Sequence, residues 1–246
     1  NSIIKPIING LYGSRVDVLN NEVNLQDQQW GIEHAPNLDI NSAANISVIK
    51  GAGALKYSGS AIGGIVIAEP PKVFLKDSLY GKTVITGGTN GRGGSVSTRL
   101  TRSFENGWFT SLQGTYKRFG DFETPDYVLS NSGLIDQSVS FQLGLNRLNY
   151  GFEFFVSSVN NDIGIIRASH LHAASDQLRA IKSDEPWYIE RFTYKINPPF
   201  QEVTHNIAKF KLFKSFQDIG KFTFQYHFQD NKRLEFDVRR GKYKDI

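Results

Sequence analysis

Between Tyr80 and Ile246 the chain alternates apolar and polar residues with a period of two. In residues 138–145 one set of positions reads Val139, Phe141, Leu143, Leu145, and the other reads Ser140, Gln142, Gly144. Residues 150–157 set Tyr150, Phe152, Phe154 and Val156 against Gly151, Glu153, Phe155 and Ser157. Residues 221–229 set Phe222, Phe224, Tyr226 and Phe228 against Thr223, Gln225, His227 and Gln229. Successive side chains of a strand point to opposite faces, so each stretch predicts a strand with one apolar and one polar face. Residues 95–104 and 108–116 alternate less cleanly, and 83–89 and 204–214 less cleanly still. About seven strands follow from this reading.

The connections alternate as well. Residues 105–107, 147–149 and 217–220 are tight turns, whereas 119–137 is long and 160–202 very long. The first connection, 90–94, is short where the rhythm asks for a long one. Short turns at one end and long loops at the other are the habit of a membrane β-barrel. A soluble sandwich has no need to keep its long loops at one end, though some do. Trp108 and Tyr150 fall at strand ends, where an aromatic girdle of a barrel would lie.

Composition narrows the choice. No apolar run reaches the roughly 18 residues of a membrane helix. Hydrophobic residues make up 39% of the chain, low for an ordinary core, but alternating barrel strands hide their hydrophobicity from such averages. The formal net charge of +4 comes without a basic stripe interleaved with aromatics, so nucleic acid is not an expected partner. The absence of Cys excludes disulfides, zinc–thiolate sites and Cys nucleophiles. Methionine is absent even at position 1 and no signal peptide is visible, so the chain reads as an internal piece of something longer.

Ahead of the strands, residues 48–66 read V-I-K-G-A-G-A-L-K-Y-S-G-S-A-I-G-G-I-V. Glycine at this density lets backbone approach backbone in a small, tightly packed domain. The stretch resembles the plug domain of TonB-dependent outer-membrane transporters, in a V-x-[RK]-G segment, a Tyr-Gly pair and an A-x-G-G-[VI]-[VI]-x-[IV] strand. The matching residues are Val48, Lys50, Gly51, Tyr57, Ala61, Gly63, Gly64, Ile65 and Ile67. Ser58 stands where the family usually has Gly, and Lys50 where it usually has Arg. Residues 5–16 resemble the family's P-x-I-R-G-x-x-x-x-R-V segment, with Asn9 in place of Arg. Residues 3–23 are expected to form two short strands around a turn. Asp17 interrupts the apolar strand there, and Asn20-Asn21-Glu22 replaces an Asp-Gly turn; Asn can still turn the chain because it tolerates positive φ.

The resemblance implies an all-β architecture: part of a 22-stranded transmembrane antiparallel β-barrel with a small mixed α/β plug inside. On this reading residues 1–71 are the C-terminal portion of the plug, 72–79 a linker that follows Pro70-Pro71, and 80–246 the first seven or so barrel strands. It implies a location in the bacterial outer membrane and contact with its lipid. The coupling partner would be the TonB-ExbB-ExbD complex, which draws on the proton-motive force. The cargo class would be an iron chelate, haem or a metal ion such as zinc. A surface receptor or adhesin barrel without transport is the alternative function, and a secreted carbohydrate-binding β protein a third.

The chemistry-bearing residues fit no enzyme. There is no G-x-S-x-G elbow, no Walker A loop and no dinucleotide fingerprint. Gly91-Arg92-Gly93-Gly94 joins two strands rather than opening a helix. Residues 26–36 are polar with a single large aromatic, and we expect them to form an outward-facing plug loop that binds ligand through Gln28, Gln29, Trp30, Glu33 and His34. His170 and His172, two apart in the longest loop, could share a metal ion on an extended segment. Zinc-importing members of the family carry an acidic-His pair where Glu33 and His34 stand, so Glu33, His34, His170 and His172 are the candidate metal ligands. His205 is expected near the outer end of a strand and His227 on a lumen face. In the family, two plug arginines pair with glutamates of the barrel wall. Their positions here are Asn9 and Lys50, which leaves Lys50 to carry that latch.

Overall fold

The structure, a computed structural model, describes residues 5–26, 37–169 and 174–237. Two sheets organise it. The first holds β1 (Val16–Asn20), β2 (Val23–Asn24), β3 (Asn45–Ile49) and β4 (Gly64–Glu69), in the order β2-β1-β4-β3. β1 runs parallel to β4, and the other two pairs are antiparallel. The stretch before β1 forms only an isolated bridge between Ile8 and Leu11, not a strand. Three 3-10 segments, Gly13–Arg15, Ile40–Ser42 and Gly51–Lys56, complete the described part of this domain.

Gly63 and Gly64 do what their density in the sequence predicts. A Cβ on Gly63 would lie 2.9 Å from the Arg15 carbonyl oxygen, and one on Gly64 would lie 2.6 Å from that of Ile49. Any other residue would push β4 away from its neighbours. Alternation then gives this small sheet two faces. Leu19, Ile65 and Ile67 pack on Ala54 and Ala61 within the domain. Val18, Val23 and Leu25 pack on Phe155 and Ile207 of the second sheet. Asp17, the polar interruption of β1, accepts hydrogen bonds from Asn24 Nδ2 and Ser60 Oγ, both at 3.1 Å.

The second sheet has seven strands: β5 (Ser78–Gly88), β6 (Gly93–Ser103), β7 (Trp108–Phe119), β10 (Leu134–Asn146), β11 (Tyr150–Gly164), β12 (Phe200–Phe216) and β13 (Gly220–Phe236). Each pairs antiparallel with its neighbour in sequence order. Between β7 and β10 lies a small hairpin of β8 (Phe122–Glu123) and β9 (Val128–Leu129). The sheet is open, with β5 and β13 as its edges. All seven expected strands occur; β5 and β6 start earlier than their alternating stretches and stop one residue short of them, and the other five cover theirs and extend beyond.

This sheet is inside-out by the standard of a soluble protein. Its buried face is polar: Ser97, Thr101, Gln113, Thr115, Gln201, His205 and Lys209 all lie under 9% exposed. Its opposite face presents Leu100, Leu112, Val139, Phe154, Phe210, Phe222, Phe224 and Phe228 to the outside. Such a sheet has the pattern of a membrane-barrel wall, with the small domain packed on its polar face. Phe155 is the exception that fits the rule, since it sits among the inward positions because it seats Val18 and Val23.

The two long connections are built rather than irregular. Helix α1 (Ala174–Lys182) and a 3-10 turn at Arg167–Ser169 lie between β11 and β12. The sequence offered no long apolar run there, so the helix was not foreseen.

Candidate functional site

The seam between the small domain and the wall contains two polar clusters. The first begins at the β1–β2 turn. Asn21 and Glu22 both take positive φ, 47° and 66°. Asn adopts this left-handed backbone readily; Glu does so seldom, at a cost of about 1 kcal/mol or more. The turn aims the Glu22 carboxylate at the wall. Lys211 Nζ lies 2.5 and 2.6 Å from its two oxygens, and Lys209 Nζ lies 3.5 Å away.

Lys209 is the largest fully buried side chain of the described protein. It donates to the Asn21 carbonyl at 2.9 Å and pairs with Glu153 at 2.7 Å, while Asn21 Nδ2 donates to the same Glu153 oxygen at 3.0 Å. A buried ammonium is tolerated because its hydrogen-bond capacity is met by charged and carbonyl oxygens. Burial by itself would raise the Glu22 carboxyl. The hydrogen bond from Lys211 and the charges of Lys209 and Lys211 outweigh it, so Glu22 titrates below its ordinary 4.5. β13 adds neutral contacts: Gln225 Nε2 donates to the Glu22 carbonyl and Gln229 Nε2 to that of Asn24.

The second cluster holds residues 39–42 against β6, β7 and β10. Asp39 Oδ2 accepts from Gln113 Nε2 at 2.9 Å, Thr115 Oγ1 at 2.7 Å and Ser138 Oγ at 2.9 Å. Asp39 Oδ1 accepts from the Asn41 amide, capping the 3-10 segment. Arg99 donates to the carbonyls of Asn41 and Ser42 at 2.8 and 2.6 Å and to Gln113 Oε1 at 2.7 Å. Between the clusters a cavity of about 30 Å³, lined by Asn21, Arg99, Gln113 and Gln142 together with Pro71, Val73 and Phe155, has room for a single water.

The long-loop end is tied together by buried polar groups. Asp121, 1% exposed, accepts from the amides of Ser132 and Thr193. Burial raises its carboxyl, and those backbone donors pull part of the way back. Asn131 Nδ2 donates to the carbonyls of Ile165 and Pro199, and its Oδ1 accepts from the Asn197 amide. Arg92 lies 4.1 Å over the Phe192 ring and bonds Glu123 at 2.7 Å. Residues Ile189, Glu190, Arg191, Phe192, Thr193 and Lys195 line an open concavity there, of mixed charge around one aromatic ring.

Of the sequence-derived candidates, Gln28, Gln29, Trp30, Glu33, His34, His170 and His172 lie outside the described residues. Lys50 is exposed at the start of the 3-10 segment Gly51–Lys56, and no carboxylate pairs with it among the described residues. Asn9 is exposed, in a left-handed turn. His205 is buried on the lumen face of β12, with Nε2 3.3 Å from Gln229 Oε1. Among the described residues no group of three or more His, Cys, Asp or Glu is placed to hold a metal ion. Sequence reasoning missed Lys209, Lys211, Asp39 and Arg99. One signal was there: a Glu closing a turn that needs positive φ.

A wall with a polar inner face, backed by a small sheet domain, is the arrangement of a plugged β-barrel. Residues 3–65 match the family model described as "TonB-dependent Receptor Plug Domain". The structure is similar to that of the copper transporter OprC, with a TM-score of 0.68 and 12% identity over 92% of this chain and 31% of that one. It is also similar to the siderophore receptor PiuA from Acinetobacter baumannii, with a TM-score of 0.61 and 14% identity over 94% of this chain and 31% of that one. The chain is thus similar to TonB-dependent receptors in its plug sequence, and to two outer-membrane proteins of this kind in its fold. It spans about a third of the length of these two structures. No curated protein sequence matches it.

Proposed function

We propose that the chain belongs to an energy-coupled transporter that captures a scarce ligand at the long-loop end and admits it when the plug moves. One observation carries this reading. The plug is held to the wall by ionic and polar contacts around Glu22 and Asp39, with one small apolar patch at Phe155 and Ile207. Contacts of this kind can be exchanged for water at far lower cost than a dry core. The coupling partner on this reading is the TonB-ExbB-ExbD complex of the inner membrane.

The cargo class we propose is an iron chelate, haem or a metal ion. The two similar structures are named for copper and for a siderophore, which supports metal-related cargo without choosing between its forms. Gln28, Gln29, Trp30, Glu33 and His34 are the proposed ligand contacts of the plug, with His170 and His172 joining Glu33 and His34 for a bare ion. Lys50 is proposed as a further latch cation, taking a wall acid outside the described residues. The experiment is uptake of ferric chelates, haem, Cu²⁺ and Zn²⁺ by cells expressing the full-length protein, with and without the coupling complex. Uptake of one of them that vanishes without the complex is the expected result. Binding without energised uptake would instead make the protein a surface receptor.

A further inference from the structure

The wall that Glu22 touches is basic along its length. The lumen-facing positions of β12 and β13 carry Arg233, His205, His227 beside Lys209, then Lys211 and Lys221, in that order from the long-loop end to the short-turn end. Among the described residues, the acids facing this stretch are Glu153 of β11, Glu235 of β13 and Glu22 of the plug. Around Glu22 the charges cancel: Lys209 and Lys211 against Glu153 and Glu22. Without Glu22, two cations and one acid remain, which leaves one net positive charge on the wall.

Three features make Glu22 replaceable. Its side chain is 53% exposed, so an incoming anion can reach Lys211 before the plug has moved. Its side chain bonds the wall through the carboxylate, a group that a cargo carboxylate duplicates, and its carbonyl adds one neutral bond from Gln225. A cavity of about 320 Å³ opens beside the pair toward the short-turn end, lined by Gln142, Glu153, Lys211, Phe213 and Lys221. Lys221 there lies 4.2 Å over the Phe213 ring, on the same lumen face.

We propose that Lys209 and Lys211 form an anion site of the lumen, that Glu22 is its resident occupant, and that the cargo carries a carboxylate or similar oxyanion which exchanges with Glu22. The part concerning cargo rests on the transporter reading; the anion site does not. Exchange is one carboxylate for another, so the wall stays neutral while the β1–β2 turn is released. A bare metal cation could not make this exchange. It would meet the lysines with like charge, which disfavours it.

Citrate is the probe, with chloride at equal ionic strength as the control, on the full-length protein in detergent micelles. Hydrogen exchange of amides 20–25 reads release of the turn. Citrate should speed that exchange about tenfold, and chloride should not. Lys211→Gln should exchange fast from the start and ignore citrate. Glu22→Gln, which keeps both lysines, should bind citrate more tightly by calorimetry because the occupant is gone. Equal effects of citrate and chloride on the unmodified protein, or a citrate response that survives Lys211→Gln, would overturn the proposal. Energised uptake is scored separately. Uptake without a citrate response keeps the transporter and removes the anion site, and a citrate response without uptake does the reverse.

Discussion

Lys211 grips both carboxylate oxygens of Glu22, at 2.5 and 2.6 Å, across 189 positions of the chain. The ionic contact between plug and wall therefore has the acid on the plug and the cations on the wall. The resemblance implies the opposite, plug cations at the positions of Asn9 and Lys50 and acids on the barrel. Asn9 is neutral, so one of those two cations is missing here, and a reversed pair stands elsewhere on the same seam.

The two lysines should differ sharply in weight. Lys209→Met removes the fully buried ammonium and leaves the mostly covered Glu153 with its bond from Asn21, and should cost about 3 kcal/mol of plug seating. Lys211→Met removes a pair whose acid is half exposed and should cost about 1 kcal/mol or less. Denaturant midpoints of the full-length variants give the comparison. Equal losses would mean that Lys209 is not the buried member.

Acid should loosen the turn. Glu22 has a folded value depressed below its unfolded 4.5, so its contribution is fully present above about 4.5 and is lost as pH falls through the depressed value. Protection of amides 20–25 should hold from pH 7 to about 5 and fall below 4.5 in the native protein. In Glu22→Gln it should be lower at pH 7 and flat across that range. A flat profile in the unmodified protein would remove Glu22 from the seating of the plug.

Faces of β10 should respond oppositely to charge. Gln142 borders the lumen cavities and Leu143 faces away from them. Leu143→Arg should cost about 2–4 kcal/mol near the bilayer midplane, and Gln142→Arg far less. Refolding titrations of the full-length protein into lipid would show it, and equal costs would reverse the assignment.

Asn131 should govern the long-loop end. Its backbone is left-handed at φ 66°, and its side chain joins three backbone groups of residues 165–199. Asn131→Gly keeps the backbone and drops the three bonds. Leaving those groups without their partner should cost about 2–3 kcal/mol of local stability. Trypsin should then cut faster at Arg191 and Lys195, while cleavage elsewhere stays the same. Unchanged cutting would mean other contacts hold the loops.

Much of the wall was legible because alternation reports burial on one face. It stopped being legible where the outward positions turn polar, at Ser158, Asn160 and Asp162. Residues 158–164 read S-V-N-N-D-I-G, yet they continue β11 by pairing with β12. Backbone pairing extends a strand without regard to side-chain pattern, so the ends were underestimated. The plug's glycines were legible because their steric demand is local. The seam was not, since Lys209 meets Asn21 and Glu153 only through tertiary approach, and its neighbours in sequence carry no trace of them. The helix Ala174–Lys182 escaped because its register is mostly polar.

The parallel pairing of β1 with β4 sets how the plug bears tension. A pull arriving ahead of Gly13 acts on β1 at Val16, while the wall resists behind Glu69 through β5. In a parallel ladder these are opposite ends, so the five pairs from Val16–Gly64 to Asn20–Ala68 are sheared together and not peeled one by one. Force then passes straight from β1 to β4 to the linker and bypasses residues 21–63. Glu22 and Asp39, the groups that touch the wall, carry no strain along the chain and yield only to displacement of the whole sheet. Pulling between handles at residues 5 and 76 should give one large rupture, and stepwise release beginning at β2 would show that the load takes another route.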